Sequence, residues 1–225
     1  APFFVSFLAG LTGLILTFFV LETKIESKPA GAKELFKVGL NKQLLVSSLL
    51  CATSQFIVFA TALSFTSNYA SSVGATKAEL GLLTSVFVLP MIFGSYLSGS
   101  FLLKKFGPRV LVAFSFVLLA VYAAAMPLCT STVPIYLLQV IGGFGNGIVF
   151  ALLMAHSIGD IDPEKKSTAM GFFQSIYSLG MTFGPITMGI LVDNTNFHTS
   201  FYTLAAISVA AIIVTLLFVN RKSAQ

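Results

Sequence analysis

Seven stretches of this chain run without a single Asp, Glu, Lys or Arg: roughly 3–21, 44–66, 80–103, 110–128, 133–157, 167–191 and 197–219. Each is long enough, at about 18 residues or more, to cross the hydrocarbon core of a bilayer as an α-helix. The 21 charged residues all fall in the connections or at the tail. A soluble helical protein does not sort its charges this way, because each of its helices needs a wet face. Composition agrees: 56% of residues are hydrophobic and 9% charged, against about 25% charged in soluble domains. A soluble enzyme, a disordered tail and a nucleic-acid-binding domain are excluded. The expected fold is an all-α membrane protein of seven transmembrane helices.

The net charge of +5 reports orientation and calls for no nucleic acid. Lys24, Lys28, Lys33, Lys37 and Lys42 lie in 22–43. Lys104, Lys105 and Arg109 lie in the next like-sided turn, Lys165 and Lys166 in 158–166, and Arg221 and Lys222 in the tail. The alternate connections hold only Lys77, so 12 of 13 basic residues share one side. That side is expected to be cytoplasmic, which puts the C-terminus inside and the N-terminus outside. The first run has neither a preceding basic residue nor a small-residue cleavage site, so it is not a signal peptide. The chain begins with Ala, and an outside N-terminus is natural if an odd number of spans precedes it. The chain is therefore expected to be a piece of a longer protein. The stretch 22–43 looks like a linker between two bundles, and Leu35, Phe36 and Leu40 within it suit a short surface helix.

The six later spans form two sets of three, 44–128 and 133–219, which begin by crossing in opposite senses, as in the inverted repeats of secondary transporters. Gly143 and Gly147, Ser95 and Gly99, and Gly180 and Gly184 repeat at spacing four, which lets helix backbones approach closely in lipid. The run Gly142-Gly143-Phe144-Gly145-Asn146-Gly147 fails the G-x-G-x-x-G register at Ile148 and sits inside an apolar stretch, so it is read as packing or bending rather than phosphate binding. Pro90, Gly143, Gly147, Gly184 and Pro185 are the candidate kink positions. Cys51 and Cys129 cannot make a disulfide framework and lack metal-ligand spacing. No cofactor or metal is called for, no nucleophile–base pair is visible, and an enzyme is not expected. A retinal protein is disfavoured because 197–219 holds no lysine. A G-protein-coupled receptor would usually end its third span in a charged triplet and carry an Asn-Pro pair in its last, and neither is present.

The turn Gly99-Ser-Phe-Leu-Leu-Lys104-Lys105-Phe106-Gly107-Pro108-Arg109 resembles a degenerate second-half form of the major facilitator signature G-x-x-x-D-R-x-G-R-R. Lys104 stands at the acidic position and Pro108 at a basic one. The stretch Ser167-Thr-Ala-Met-Gly171-Phe-Phe-Gln174-Ser-Ile-Tyr177-Ser-Leu-Gly180-Met-Thr-Phe-Gly184-Pro185 resembles the eleventh helix of bacterial facilitator-type drug exporters, and Glu22-Thr23 resembles the end of the sixth. The resemblance implies that 1–21 is the last helix of an N-terminal half, 22–43 a cytoplasmic linker, 44–219 a C-terminal six-helix bundle and 220–225 a cytoplasmic tail. It implies that five helices are absent from this sequence.

On that reading the protein moves a small organic solute across the plasma (inner) membrane by alternating access, as a proton-coupled exporter of drugs or other organic compounds once joined to its N-terminal half. Sugar or metabolite uptake and a non-transporting membrane scaffold of the same fold are the alternatives. Polar side chains at mid-depth usually face a cavity or another helix. Gln55 and Phe59 on the second span, Gln139, Asn146 and Phe150 on the fifth, and Gln174, Tyr177 and Met181 on the sixth are the candidate cavity residues. Lys104, Lys105, Gly107 and Arg109 are the candidate cytoplasmic gate. His156 lies about ten residues past Asn146, roughly 15 Å from the midplane, and is read as interfacial. The spans hold no carboxylate, so a proton carrier is expected in the other half. Amides and a phenol without fixed charge suit neutral or amphipathic solutes.

Overall fold

The computed structural model describes residues 2–19 and 38–219. These residues form helices and short connections, with no strand among them. A first helix, α1 (Pro2–Thr17), is apolar but shorter than a full span. Six helices are long and apolar enough to cross a membrane: α2 (Lys42–Ser72), α3 (Lys77–Leu97), α4 (Leu103–Leu128), α5 (Thr132–Ser157), α6 (Pro163–Asn194) and α7 (Phe197–Phe218). The expected linker falls largely on residues outside the described ones, and so do Leu35 and Phe36; Leu40 is exposed.

Local chemistry sets the helix ends. Asn41 Oδ1 caps α2 by accepting from the amides of Gln43 and Leu44 at 3.0 and 3.1 Å. Thr76 and Glu79 form a capping box at the start of α3, the carboxylate accepting from the Thr76 amide at 2.7 Å. Asn196 Oδ1 accepts from the Thr199 amide at 2.9 Å to cap α7. The turn after α3 works differently. Helical backbone continues through a π-helical segment, Ser98–Leu102, into Leu103 and onward, then breaks at Gly107 (φ 75°, ψ 163°). That conformation is open to glycine and strained for residues with a Cβ. Pro108, which fixes its own φ and needs no amide partner, starts the regular part of α4.

The helices stack in two layers. α3, α5, α2 and α6 lie side by side in that order, and α4 and α7 pack together behind α5 and α2. Tyr122, Phe87, Phe116, Phe173 and Phe201 are fully buried. Exchanging α2, α3 and α4 for α5, α6 and α7 turns the α2–α6 pairing into α5–α3 and leaves α4–α7 and α2–α5 unchanged, so the packing pattern has the symmetry of two equivalent triplets. α1 stands apart: Phe3, Phe4, Phe7, Leu14 and Phe18 keep more than half of their surface.

Glycines create the tightest crossings. A methyl group on Gly143 or Gly147 would strike the carbonyls of Phe87 and Met91 on α3, and on Gly142 or Gly145 it would strike Tyr122 and Leu118 on α4. The glycine-rich run therefore serves two faces, letting α5 sit between α3 and α4. Gly180 and Gly184 meet the carbonyls of Ala52 and Phe56 on α2 in the same way, and Gly94 meets that of Phe144. Ser95 donates to the Gly147 carbonyl at 3.0 Å, whereas Gly99 meets nothing within 4 Å. Pro90 and Pro185 lie inside helices that run through them. The backbone leaves α geometry instead at two π-helical segments, Thr61–Phe65 within α2 and Ser98–Leu102 after α3.

The two ends of the bundle differ. At one end Gln43 on α2 donates to the His156 carbonyl at 2.7 Å, which ties the start of α2 to the end of α5. The described basic residues other than Lys77 belong to this end. At the other end Tyr69 on α2 donates to the carbonyls of Pro127 and Cys129 at 2.9 and 3.2 Å, and its ring meets Phe197 and Phe201 edge-on. Thr66 shares a 2.7 Å hydrogen bond with Tyr122 there, and Tyr136 donates to the Glu79 carbonyl at 2.8 Å.

Candidate functional site

At mid-depth, where α2 crosses α5, Gln55 Nε2 donates to Asn146 Oδ1 at 3.2 Å. The Asn146 amide in turn donates to Met91 Sδ on α3 at 3.5 Å. The chain bridges three helices of one layer. Gln55 and Asn146 are 3% and 4% exposed, so the bundle alone nearly covers them. Pairing is what an apolar medium demands of two amides, since an unpaired one is left without water.

The other candidate residues divide into three groups. Gln139 lies two turns from Asn146 on the same face of α5, fully buried, with both amide atoms unpartnered among the described residues. Phe150 on α5 and Tyr177 on α6 meet edge-on at 5.5 Å, and Phe173 packs on the same tyrosine at 5.4 Å. Phe59 and Met181 are half-buried, while Gln174 is exposed on α6.

Beside Gln174 lies a polar face whose residues are not among the candidate cavity residues. Gly171, Ser175 and Thr182 are exposed on α6 and Ser178 is half-buried. Their hydroxyls are held by the helix itself: Ser175 donates to the Gly171 carbonyl at 2.8 Å, Ser178 to that of Ser175 at 2.9 Å, and Thr182 to that of Ser178 at 3.0 Å. The spacing 171, 175, 178, 182 is a complete helical stripe of small and hydroxylated residues. It is visible in the sequence once the larger Gln174, Tyr177 and Met181 face is set aside.

The four gate candidates lie in the turn at the lysine-rich end. Lys104 and Lys105 are exposed, and the Lys105 ammonium lies 5.7 and 5.3 Å from the ring centroids of Phe101 and Phe106. Gly107 makes the break described above. Arg109 is half-buried, and its Nε is enclosed without a hydrogen-bond partner. Among the described residues the one ion pair joins Lys165 to Asp162 at 3.3 Å, both exposed, so no carboxylate there meets the gate cations. His156 lines two cavities, of about 320 and 210 Å3, at the same end.

Comparison with known proteins places this arrangement. The sequence model of the Major Facilitator Superfamily matches residues 44–225. An uncharacterized MFS-type transporter, YvkA of Bacillus subtilis (strain 168), is 23% identical over 228 residues, covering 100% of this chain and 50% of that protein. Multidrug resistance protein 3 of the same organism is 27% identical over 182 residues, covering 80% and 35%. The cis,cis-muconate transport protein of Acinetobacter baylyi (strain ATCC 33305 / BD413 / ADP1) is 25% identical over 236 residues, covering 98% and 56%. The chain spans about half the length, or less, of the first two of these relatives. With a family match over most of its length and six membrane-length helices packed as half of that family's fold, this integral membrane protein belongs to the Major Facilitator Superfamily.

Proposed function

We propose that the chain supplies one half of a transporter that moves a small organic solute by alternating access, and that with an N-terminal half it exports drug-like or other organic compounds in exchange for protons. On this reading α1 is the last helix of the N-terminal half, residues 44–219 form the C-terminal bundle, and the lysine-rich end and the tail face the cytoplasm from a cell's inner (plasma) membrane. The observation that carries the reading is the open face of α6, where Gln174, Ser175, Ser178 and Thr182 form a polar stripe near mid-span, with exposed Leu179 and Phe183 at its edge. Lipid rewards apolar side chains at that depth, so a polar stripe belongs against water or a solute.

Gln174, the Phe150–Tyr177 pair, Phe59 and Met181 then border the passage, and the Gln55–Asn146 pair forms its inner wall. Glu79 and Asp193 lie near the ends of their helices, so the carboxylate for proton coupling comes from the N-terminal half. Lys104, Lys105 and Arg109 latch the cytoplasmic side against acidic groups or helix C-termini of that half. The relative named a multidrug resistance protein supports export. A second reading, carriage of a metabolite, is favoured by the relative named a cis,cis-muconate transport protein.

Thiol labelling tests the passage. In the complete transporter, Thr182→Cys should react with a water-soluble maleimide and be protected by transported solute, whereas Ile213→Cys on α7 should stay unreactive in lipid. Cys51 and Cys129 are buried and give a low background. A Thr182→Cys protein as inert as Ile213→Cys, in every transport state, sinks the reading.

A further inference from the structure

Gln139 is the buried amide that the Gln55–Asn146 pair leaves out. It is fully enclosed, and neither Oε1 nor Nε2 has a partner among the described residues. In a permanently closed core such an amide is unfavourable, and a leucine of similar volume would serve better.

The packing shows what encloses it. Asn146, two turns away on the same face of α5, meets α2 through Gln55 and α3 through Met91. Gln139 lies about 10 Å further toward the Tyr69 end. Seven residues beyond Gln55 in that direction, α2 reaches Ala62, which is 3% exposed and sits inside the π-helical segment Thr61–Phe65. That segment packs against α3 as well as α6. α2 and α3 therefore close together over the face of α5 that carries Gln139.

The outer part of α2 is lightly held. Thr66–Ser72 is a short polar helix with Asn68, Ser71 and Ser72 exposed. Its side-chain ties are the Thr66 hydrogen bond to Tyr122, whose ring lies against Gly142, and those of Tyr69 to the Pro127 and Cys129 carbonyls. The joint with the rest of α2 is the π-helical turn, which Thr61 enters at φ −106°, ψ −83°. A π turn holds one residue more than an α turn, so a change between the two re-aims everything beyond it.

We propose that α2 from Thr61 to Ser72 is a hinged cover over Gln139, which lifts during the transport cycle and opens that amide to water in the passage. The proposal rests on the alternating-access reading above.

The test uses the complete transporter in lipid nanodiscs, with Cys51 and Cys129 replaced by alanine. Gln139→Cys should react slowly with a water-soluble maleimide. Adding Tyr69→Phe keeps the ring against Phe197 and Phe201 but removes the hydrogen bonds to the two carbonyls, and should raise the rate about threefold or more. Equal rates with and without Tyr69→Phe overturn the cover, and so does the absence of reaction in both proteins. If Thr182→Cys reacts in the same preparation while Gln139→Cys does not, the α6 passage stands and the cover alone falls. Gln139→Leu examines the same point without a thiol. With the amide gone the covered state is favoured, so the unfolding temperature should rise and solute flux should slow. A lower unfolding temperature with flux unchanged would make Gln139 a fixed part of a closed core and overturn the proposal.

Discussion

Asn146 holds two positions at once, as one member of a buried amide pair and as an element of the proposed passage wall. The pair itself is a weak fastener, because interhelical hydrogen bonds in membranes average about 0.6 kcal/mol. Asn146→Ala in the complete transporter should therefore keep its folded yield within about twofold while solute flux in vesicles is lost. Full uptake and efflux in that variant would leave Asn146 a packing residue only. The sequence made the pair half legible. An amide inside a charge-free run calls for a partner or for water, which singles out Gln55, Gln139, Asn146 and Gln174. Which two meet depends on the rotation of α2 against α5, and no periodicity within one helix reports that. Gln139 shows the limit, since it ends two turns away with both amide atoms unpartnered. Ser175 and Thr182 escaped notice because each hydroxyl donates to its own helix and so leaves no demand on a neighbour.

For the helices, the glycines separate used from unused faces. Gly147 sits against the Met91 carbonyl, while Gly81, near the start of α3, meets nothing within 4 Å. Gly147→Val should destabilise the bundle by about 1–3 kcal/mol, the usual range for overpacking, because backbone cannot yield as a side chain can. Gly81→Ala should be neutral or stabilising by up to about 1 kcal/mol through helix propensity. Unfolding in mixed micelles reads both, and equal losses would mean that these contacts do not set the packing. Helix existence was plain from the charge-free runs. The ends were less so: α2 continues through polar Thr66–Ser72, where Thr66 and Tyr69 find partners on or beside α4, and α6 extends past both expected limits. The π-helical segments contain no proline, so the breaker residues pointed elsewhere, to Pro90 and Pro185.

Across the whole molecule, the sorting of lysines and arginines was enough to order the helix ends, and the bundle brings Lys42, His156 and the 103–109 turn to one end while Lys77 lies at the other. The exchange symmetry of the two triplets is a property of packing that the weak internal sequence similarity left open. α1 gives the molecule its other lesson. Its phenylalanines are bare, and a methyl group at Gly10 or Gly13 would touch nothing. If its partners lie in the N-terminal half, packing in the bilayer and not chain connection should hold that half to the bundle. A gene severed between the codons for Phe19 and Val38 and expressed as two polypeptides should then reassemble in the bilayer and regain flux; two inert pieces would show that the peptide connection is required.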